Sequence, residues 1–232
     1  IMDAWGFTGD QFRVPEQSEL NELLKHVNSD EIQVQEEPSY SVTLGEGQAI
    51  DLGGIAKGYT SDWVEQTFRA NGIESGKISL GGNVFVLGGK PDGSDWRVGI
   101  KDPRNESGLA AILSLRDAYA ITSGGYERYF EENGKTYHHI IDPSTGYPYD
   151  NGLISVVIIC PESVDGDALS TTCFSLGLEK GMELLDSTED AAGIFITEDY
   201  ELHFSEGAAE LSIYDEDGKP LKNLNEVTDY ES

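Results

Sequence analysis

The chain has 232 residues, 38% of them hydrophobic, enough to build a real core and to exclude a disordered polymer. Its 15 Lys and Arg against 43 Asp and Glu give a net charge of −28, which repels nucleic acid and anionic lipid and excludes both as partners. No apolar run approaches the ~20 residues of a transmembrane helix, and an anionic substrate would need a local cation or a metal to bind here.

The chain opens on "IMDAWGF" with no secretory signal peptide. "SELNELLKHVN" at 18–28 carries leucines at helical spacing behind Ser18, an expected N-cap, and "SYSVTL" at 39–44 alternates as a strand. "DLGGIAKGYTSDWV" at 51–64 turns a glycine corner into a helix predicted over 56–70, which stops at Asn71-Gly72. "KISLGGNVFVLGG", "WRVGIKD", "LAAILSLRD" and "YAITSG" follow as strands divided by Gly, Pro and Asp. "GLISVVIIC" at 152–160 is the most apolar and is expected to be central. Helices are predicted over 167–176 and 179–186, joined at Gly177, and "AAGIFITED" with "YELHFSE" forms a terminal hairpin. Cys160 and Cys173 read as small core residues, with a disulfide between them left open. The acidic segment 215–232 is expected to be loose. With no repeat and no long linker, the order of elements predicts a single α+β domain over 1–232 with largely antiparallel sheets and packed helices.

Four segments are richer in glycine and polar groups than a core requires. At the first, Gly53 and Gly54 let the backbone approach a ligand, and the helix start after them favours an anion. Lys57 sits in the first helical turn, unfavourably placed against the helix dipole unless a negative ligand is there too; a solvated lysine at a plain corner is the other reading. At the second, Gly81-Gly82 inside an apolar strand suggests a bulge or a close backbone approach, and no helix follows to make a dinucleotide fingerprint. At the third, Thr122, Ser123, Gly124 and Gly125 form a polar elbow with Arg128 nearby. Successive His138 and His139 point to opposite faces, so one of them at most serves a site, and no further His or Cys stands at zinc-ligand spacing. At the fourth, Asp167 and Thr171 share a helix face one turn apart. They are hard oxygen donors suited to Mg²⁺, or Asp167 is a helix cap.

Taken in order, "DLGGIAKGY", "LGGNVFVLG" with "DWRVGIKDP", "TSGGYERYF…NGKTYHHIIDPSTGYP" and "DALSTTCFSLG" resemble the FAD:protein FMN transferase family, formerly the ApbE or thiamine-biosynthesis lipoprotein family, over residues 5–198. The resemblance implies a T-fold-like α+β domain and Mg²⁺-dependent transfer of FMN from FAD to a Thr or Ser hydroxyl of a partner flavoprotein, with AMP released. It implies that Asp51 and Lys57 lie against FAD, that Ile141 lines the flavin nucleotide site, and that Thr122, Ser123 and Gly124 belong to the cofactor-binding set. It further implies Mg²⁺ ligands at the Gly54 carbonyl, Asp167 and Thr171, with His139 tied to transfer and His139 or Asp167 as general base. Family members carry a substantial stretch before the "WGF" at 5–7 that supplies part of the FAD site. They generally work outside the cytoplasmic membrane, often lipid-anchored, and the anchor would lie in that missing N-terminal stretch. The same motifs also suit an FAD pyrophosphatase that releases FMN and AMP, and a flavin-binding lipoprotein without turnover is the reading from another class.

Overall fold

The computed structural model describes residues 1–9, 11–105 and 107–220. In chain order the elements are α1 (Met2–Trp5), α2 (Gln17–Leu23), β1 (Gln33–Gln35), β2 (Ser41–Thr43), α3 (Ala56–Ala70), β3 (Gly76–Leu80), β4 (Asn83–Leu87), β5 (Trp96–Lys101), β6 (Leu109–Leu115) and β7 (Ala118–Gly124). They continue with β8 (Tyr129–Glu132), β9 (Lys135–His138), β10 (Leu153–Cys160), α4 (Ser163–Leu176), α5 (Leu178–Asp186), β11 (Ala192–Thr197), β12 (Leu202–Phe204) and β13 (Ser212–Tyr214). All paired strands run antiparallel, so the α+β class read from the sequence is the observed one. Among the described residues no helix is long and apolar enough to cross a membrane.

The chain divides into two compact units. The first comprises Ile1–Leu52 and Glu127–Tyr149. Its core is aromatic: Trp5 and Phe7 are fully buried with Leu20, and Phe130, Tyr137 and Tyr147 pack on them. The Trp5 ring meets Tyr137 at a tilt and Tyr147 edge-on, while its indole N–H donates to the Gly146 carbonyl at 2.7 Å, which satisfies the ring's one polar atom. Strands β8 and β9 form a hairpin through Asn133-Gly134, both at positive φ (53° and 75°), the two-residue turn that matches the twist of its strands. Helix α2 starts at Gln17 with Glu16 as its N-cap residue and makes no side-chain cap bond. Ser18 therefore lies inside the first turn rather than capping it.

The second unit comprises Gly53–Tyr126 and the chain from Asp150 onward. A six-stranded sheet in the order β12-β11-β10-β7-β4-β3 has two covered faces. On one face Val157, Ile159, Ala120, Val86 and Ile194 pack against Val98, Ala111, Leu113 and Ile213 of a three-stranded sheet, β13-β6-β5. On the other lie α4, against β10 and β7, and α3 beside α4. Strand β10 is buried on both faces, which explains why "LISVVIIC" is an almost unbroken apolar run and sits in mid-sheet. Gly81-Gly82, expected as a bulge or a close backbone approach, is a two-residue hairpin turn at φ 46° and 89° joining Leu80 to its partner Asn83, and the Gly82 carbonyl accepts from the Thr122 N–H at 3.1 Å. Of the acidic tail, Asp215 to Lys219 forms a turn in which the Lys219 carbonyl accepts from the Asp215 N–H; 221–232 lie outside the described residues.

Cys160 and Cys173 are free thiols, both buried, so no disulfide joins them. Burial pushes the Cys160 thiol up to about 12 and that of Cys173 to about 11. Neither is expected to react with Ellman's reagent at mildly alkaline pH in the native protein, and both are expected to react once guanidinium unfolds it. A thiol titrating in the native protein would contradict the packing of β10 against α4.

Candidate functional site

The second unit gathers most of the residues singled out in the sequence at one place, the crossing of α3 and α4 above the sheet. Helix α3 begins at Ala56, and its N-cap residue is Ile55, which has no side-chain oxygen to satisfy the first N–H groups. The Gly58 N–H donates instead to Asp167 Oδ2, at 2.7 Å, from the neighbouring helix. Helix α4 begins at Ser163, four residues before its predicted start, and its own N-cap Glu162 makes no cap bond either. Asp62 of α3 fills that role, accepting from the Ser163 and Val164 N–H groups at 2.8 and 2.9 Å. Each helix thus caps the other, and each carboxylate sits at the positive end of its partner's dipole. The exchange depends on close approach: a Cβ at Gly58 would overlap the Ser163 carbonyl oxygen and come within 2.8 Å of Val164 Cα. Asp62→Ala leaves two N–H groups without their acceptor and is expected to lower stability by about 1–2 kcal/mol in a denaturant titration. An unchanged midpoint would contradict the exchange.

Asp167 is therefore no cap of its own helix. It lies in the second turn of α4, only 4% exposed, with one donor on each oxygen: Gly58 N–H on Oδ2 and Asn83 Nδ2 on Oδ1, at 2.9 Å. One turn further along, a hydroxyl cluster joins α4 to the sheet. Ser123 Oγ of β7 lies 2.8 Å from Ser170 Oγ and 3.2 Å from Thr171 Oγ1. Thr122 and Gly124 flank Ser123 within β7, so the polar elbow expected there is extended strand, and the turn begins at Gly125. Gly124 packs against Tyr126, which a Cβ would approach to 2.8 Å.

Gly54 is exposed at the corner, one helical turn before Gly58, and a Cβ there would meet nothing within 4 Å. Its missing side chain is not a packing requirement. Lys57 Nζ donates to the Gly81 carbonyl at 2.8 Å, which ties the first turn of α3 to the β3–β4 hairpin and gives the lysine a partner against the dipole. Among the described residues no group of three or more His, Cys, Asp or Glu gathers. The buried Asp167 carboxylate and the hydroxyls of Ser123, Ser170 and Thr171 are hard oxygen donors of the kind Mg²⁺ takes alongside waters and substrate phosphates. The residues present thus fit the metal that the sequence resemblance implies.

A model of the ApbE family matches residues 1–195. The chain belongs to the ApbE family. It is 40% identical over 209 residues to an FAD:protein FMN transferase of Klebsiella pneumoniae (strain 342), covering 88% of this chain and 63% of that one. It is 38% identical over 217 residues to one of Treponema pallidum (strain Nichols), covering 88% and 60%. Among solved structures, the ApbE protein from Thermotoga maritima matches with a TM-score of 0.81 at 37% identity, covering 88% of this chain and 67% of that one. The chain thus spans less than two thirds of the length of the two transferases.

The family's remaining candidates lie in the first unit, where the two histidines separate cleanly. His138 uses both ring nitrogens on backbone: Nε2 on the Tyr149 carbonyl at 3.0 Å and Nδ1 as acceptor from the Ile140 N–H at 3.2 Å. It is a structural residue that holds the chain around Ile140. His139 Nδ1 faces the Arg128 carbonyl at 3.1 Å, and a carbonyl only accepts, so Nδ1 carries the proton. In the neutral ring Nε2 is then the basic nitrogen. Ile141 bridges to Pro148 across the Asp142–Gly146 turn, and Asp51 is exposed at the end of its segment. Sequence reading missed Asp62, Asn83 and Ser170. For Asn83 the signal was an amide entering an apolar strand directly after a two-glycine turn; for Ser170 it was the i+3 position from Asp167.

Proposed function

We propose that this chain carries out Mg²⁺-dependent transfer of FMN from FAD to a Thr or Ser hydroxyl of a partner flavoprotein. The observation that carries the reading is the buried Asp167 carboxylate, fixed against the start of α3 and one turn from the Thr171 hydroxyl, in a member of the ApbE family. Asp167, Thr171 and the Gly54 carbonyl would hold the ion. Bound there, Mg²⁺ supplies Lewis-acid polarisation of the phosphoryl oxygens and an offset to the pyrophosphate charge in a protein of net charge −28.

The acceptor oxygen forms a bond to the FMN phosphorus, the bond from that phosphorus to the bridging oxygen breaks, and AMP leaves with the bridging oxygen. The start of α3 provides backbone N–H groups and a positive dipole end for the phosphates. The hydroxyl's proton goes to a general base. Both Asp167 oxygens already accept hydrogen bonds from buried donors and would also serve the metal, which favours His139, whose Nε2 is basic in the neutral tautomer. Asp51, Lys57, Ile141, Thr122, Ser123 and Gly124 are proposed to line the FAD site. The reading carries with it the extracytoplasmic, lipid-anchored setting of the family.

The test is incubation of the protein with FAD, MgCl₂ and an acceptor flavoprotein, followed by mass spectrometry and AMP detection. A covalent FMN adduct that EDTA abolishes is the expected result. Free FMN and AMP without an adduct would make the protein a pyrophosphatase, and FAD binding without AMP would make it a binding protein.

A further inference from the structure

The turn between β3 and β4 carries a group that this function has not yet used. Asn83 opens β4, is fully buried, and is the polar residue in the strand "NVFVL". Its Nδ2 donates to Asp167 Oδ1 at 2.9 Å, and its own Oδ1 is buried with no hydrogen-bond partner among the described residues. A carboxylate only accepts, so the amide NH₂ must face Asp167, and the oxygen is turned by necessity to the side that offers it nothing. An orphaned buried acceptor lowers stability, and a leucine of like volume would avoid that cost.

The position of the amide is closely held. Lys57 Nζ bonds the Gly81 carbonyl, the Thr122 N–H bonds the Gly82 carbonyl at 3.1 Å, and Asn83 pairs across to Ile121 of β7. Three contacts, one from α3 and two from β7, thus fix the hairpin tip, and with it the direction from which the amide meets Asp167. Gly58 meets the other oxygen from α3. With one lone pair of each oxygen committed, the plane and rotation of the carboxylate are set, and one lone pair on each oxygen remains.

We propose that Asn83 is a positioning residue that orients the Asp167 carboxylate for a divalent cation. This rests on the reading of Asp167 as a metal ligand. The amide acts as outer-shell partners of metal ligands do, where loss of the partner typically costs about 10–100-fold in metal affinity.

The test uses Mn²⁺ as a spectroscopic probe, titrated into the whole chain in the presence of FAD and followed by electron paramagnetic resonance. The proteins compared are wild type, Asn83→Leu, Asn83→Ser and Asp167→Ala, each with a melting curve. Asn83→Leu is expected to stay folded, because it removes the orphaned oxygen along with the donor, and to bind Mn²⁺ about 10–100-fold more weakly. Asn83→Ser, which keeps a hydroxyl donor, is expected to fall between it and wild type, and Asp167→Ala to lose the site. An amide with a merely structural role would shift the melting temperatures and leave the affinity of folded protein alone. Wild-type affinity in Asn83→Leu, or in Asn83→Ser if the leucine variant does not fold, overturns the proposal while Asp167→Ala still fails to bind. Equal binding by wild type and Asp167→Ala overturns the metal reading, and this inference with it.

Discussion

Asp167→Ala is expected to abolish flavin transfer, with a loss of at least about a thousandfold, or about 4 kcal/mol of transition-state stabilisation, from removal of a metal ligand. The same change strips the acceptor from two donors, the Gly58 N–H and Asn83 Nδ2, and leaving buried donors unsatisfied costs about 1–3 kcal/mol each. Activity and stability should therefore fall together in this variant, and two companions separate them. Asp167→Asn keeps the shape and one acceptor, so it should retain more of the stability while losing the transfer. Thr171→Ala should lose activity with little change in stability, since Thr171 is half-buried and its contact with Ser123 is long, at 3.2 Å. Steady-state kinetics beside thermal melts measure both. Transfer surviving in Asp167→Asn and Thr171→Ala alike would remove both residues from the metal site.

The second large effect concerns the helix crossing. Helix propensity alone predicts that Gly58→Ala stabilises α3 by about 1 kcal/mol. The structure predicts the opposite sign. The new Cβ would overlap the Ser163 carbonyl oxygen and press on Val164 Cα, both backbone atoms with no rotamer to yield. Overpacking of this kind costs about 1–3 kcal/mol, which for a chain of this size lowers the melting temperature by roughly 2–4 °C per kcal/mol. Parting α3 from α4 also breaks the exchange of caps, so transfer activity should fall with the stability. Gly54→Ala is the control: its Cβ meets nothing, and only its carbonyl is used, so stability and activity should hold. A stabilised Gly58→Ala would mean that the helices do not approach as described.

The comparison of these glycines shows what was legible in the sequence. Helix α3 was readable to the residue, because helical spacing and the Asn71-Gly72 stop are local signals. The central strand was readable to within one residue, because its apolar run reflects burial on both faces. The start of α4 lies four residues before the predicted one, because Gly166 gives no local helix signal. Gly166 is in fact a helical residue pressed onto the sheet, where a Cβ would overlap Ile121 Cδ1 and come 2.7 Å from Cys160 Sγ. Asp167 and Thr171 were singled out because they share a helix face four residues apart, and the resemblance supplied their expected role. Their supports were not, since Asp62 meets Ser163 across 101 residues, Asn83 meets Asp167 across 84, and no periodicity reports such pairings. The β8–β9 hairpin was not read from the sequence, although the Asn133-Gly134 pair at its turn is a local signal for one.

The most direct measurement is a crystal structure of this protein grown with FAD and Mg²⁺, with Mn²⁺ anomalous scattering to identify the ion. Oxygens of Asp167 and Thr171 and the carbonyl of Gly54 are predicted within about 2.0–2.1 Å of one Mg²⁺ that also binds the pyrophosphate. An ion bound elsewhere, with Asp167 still engaged only by Gly58 and Asn83, would show that carboxylate to be a helix cap and nothing more.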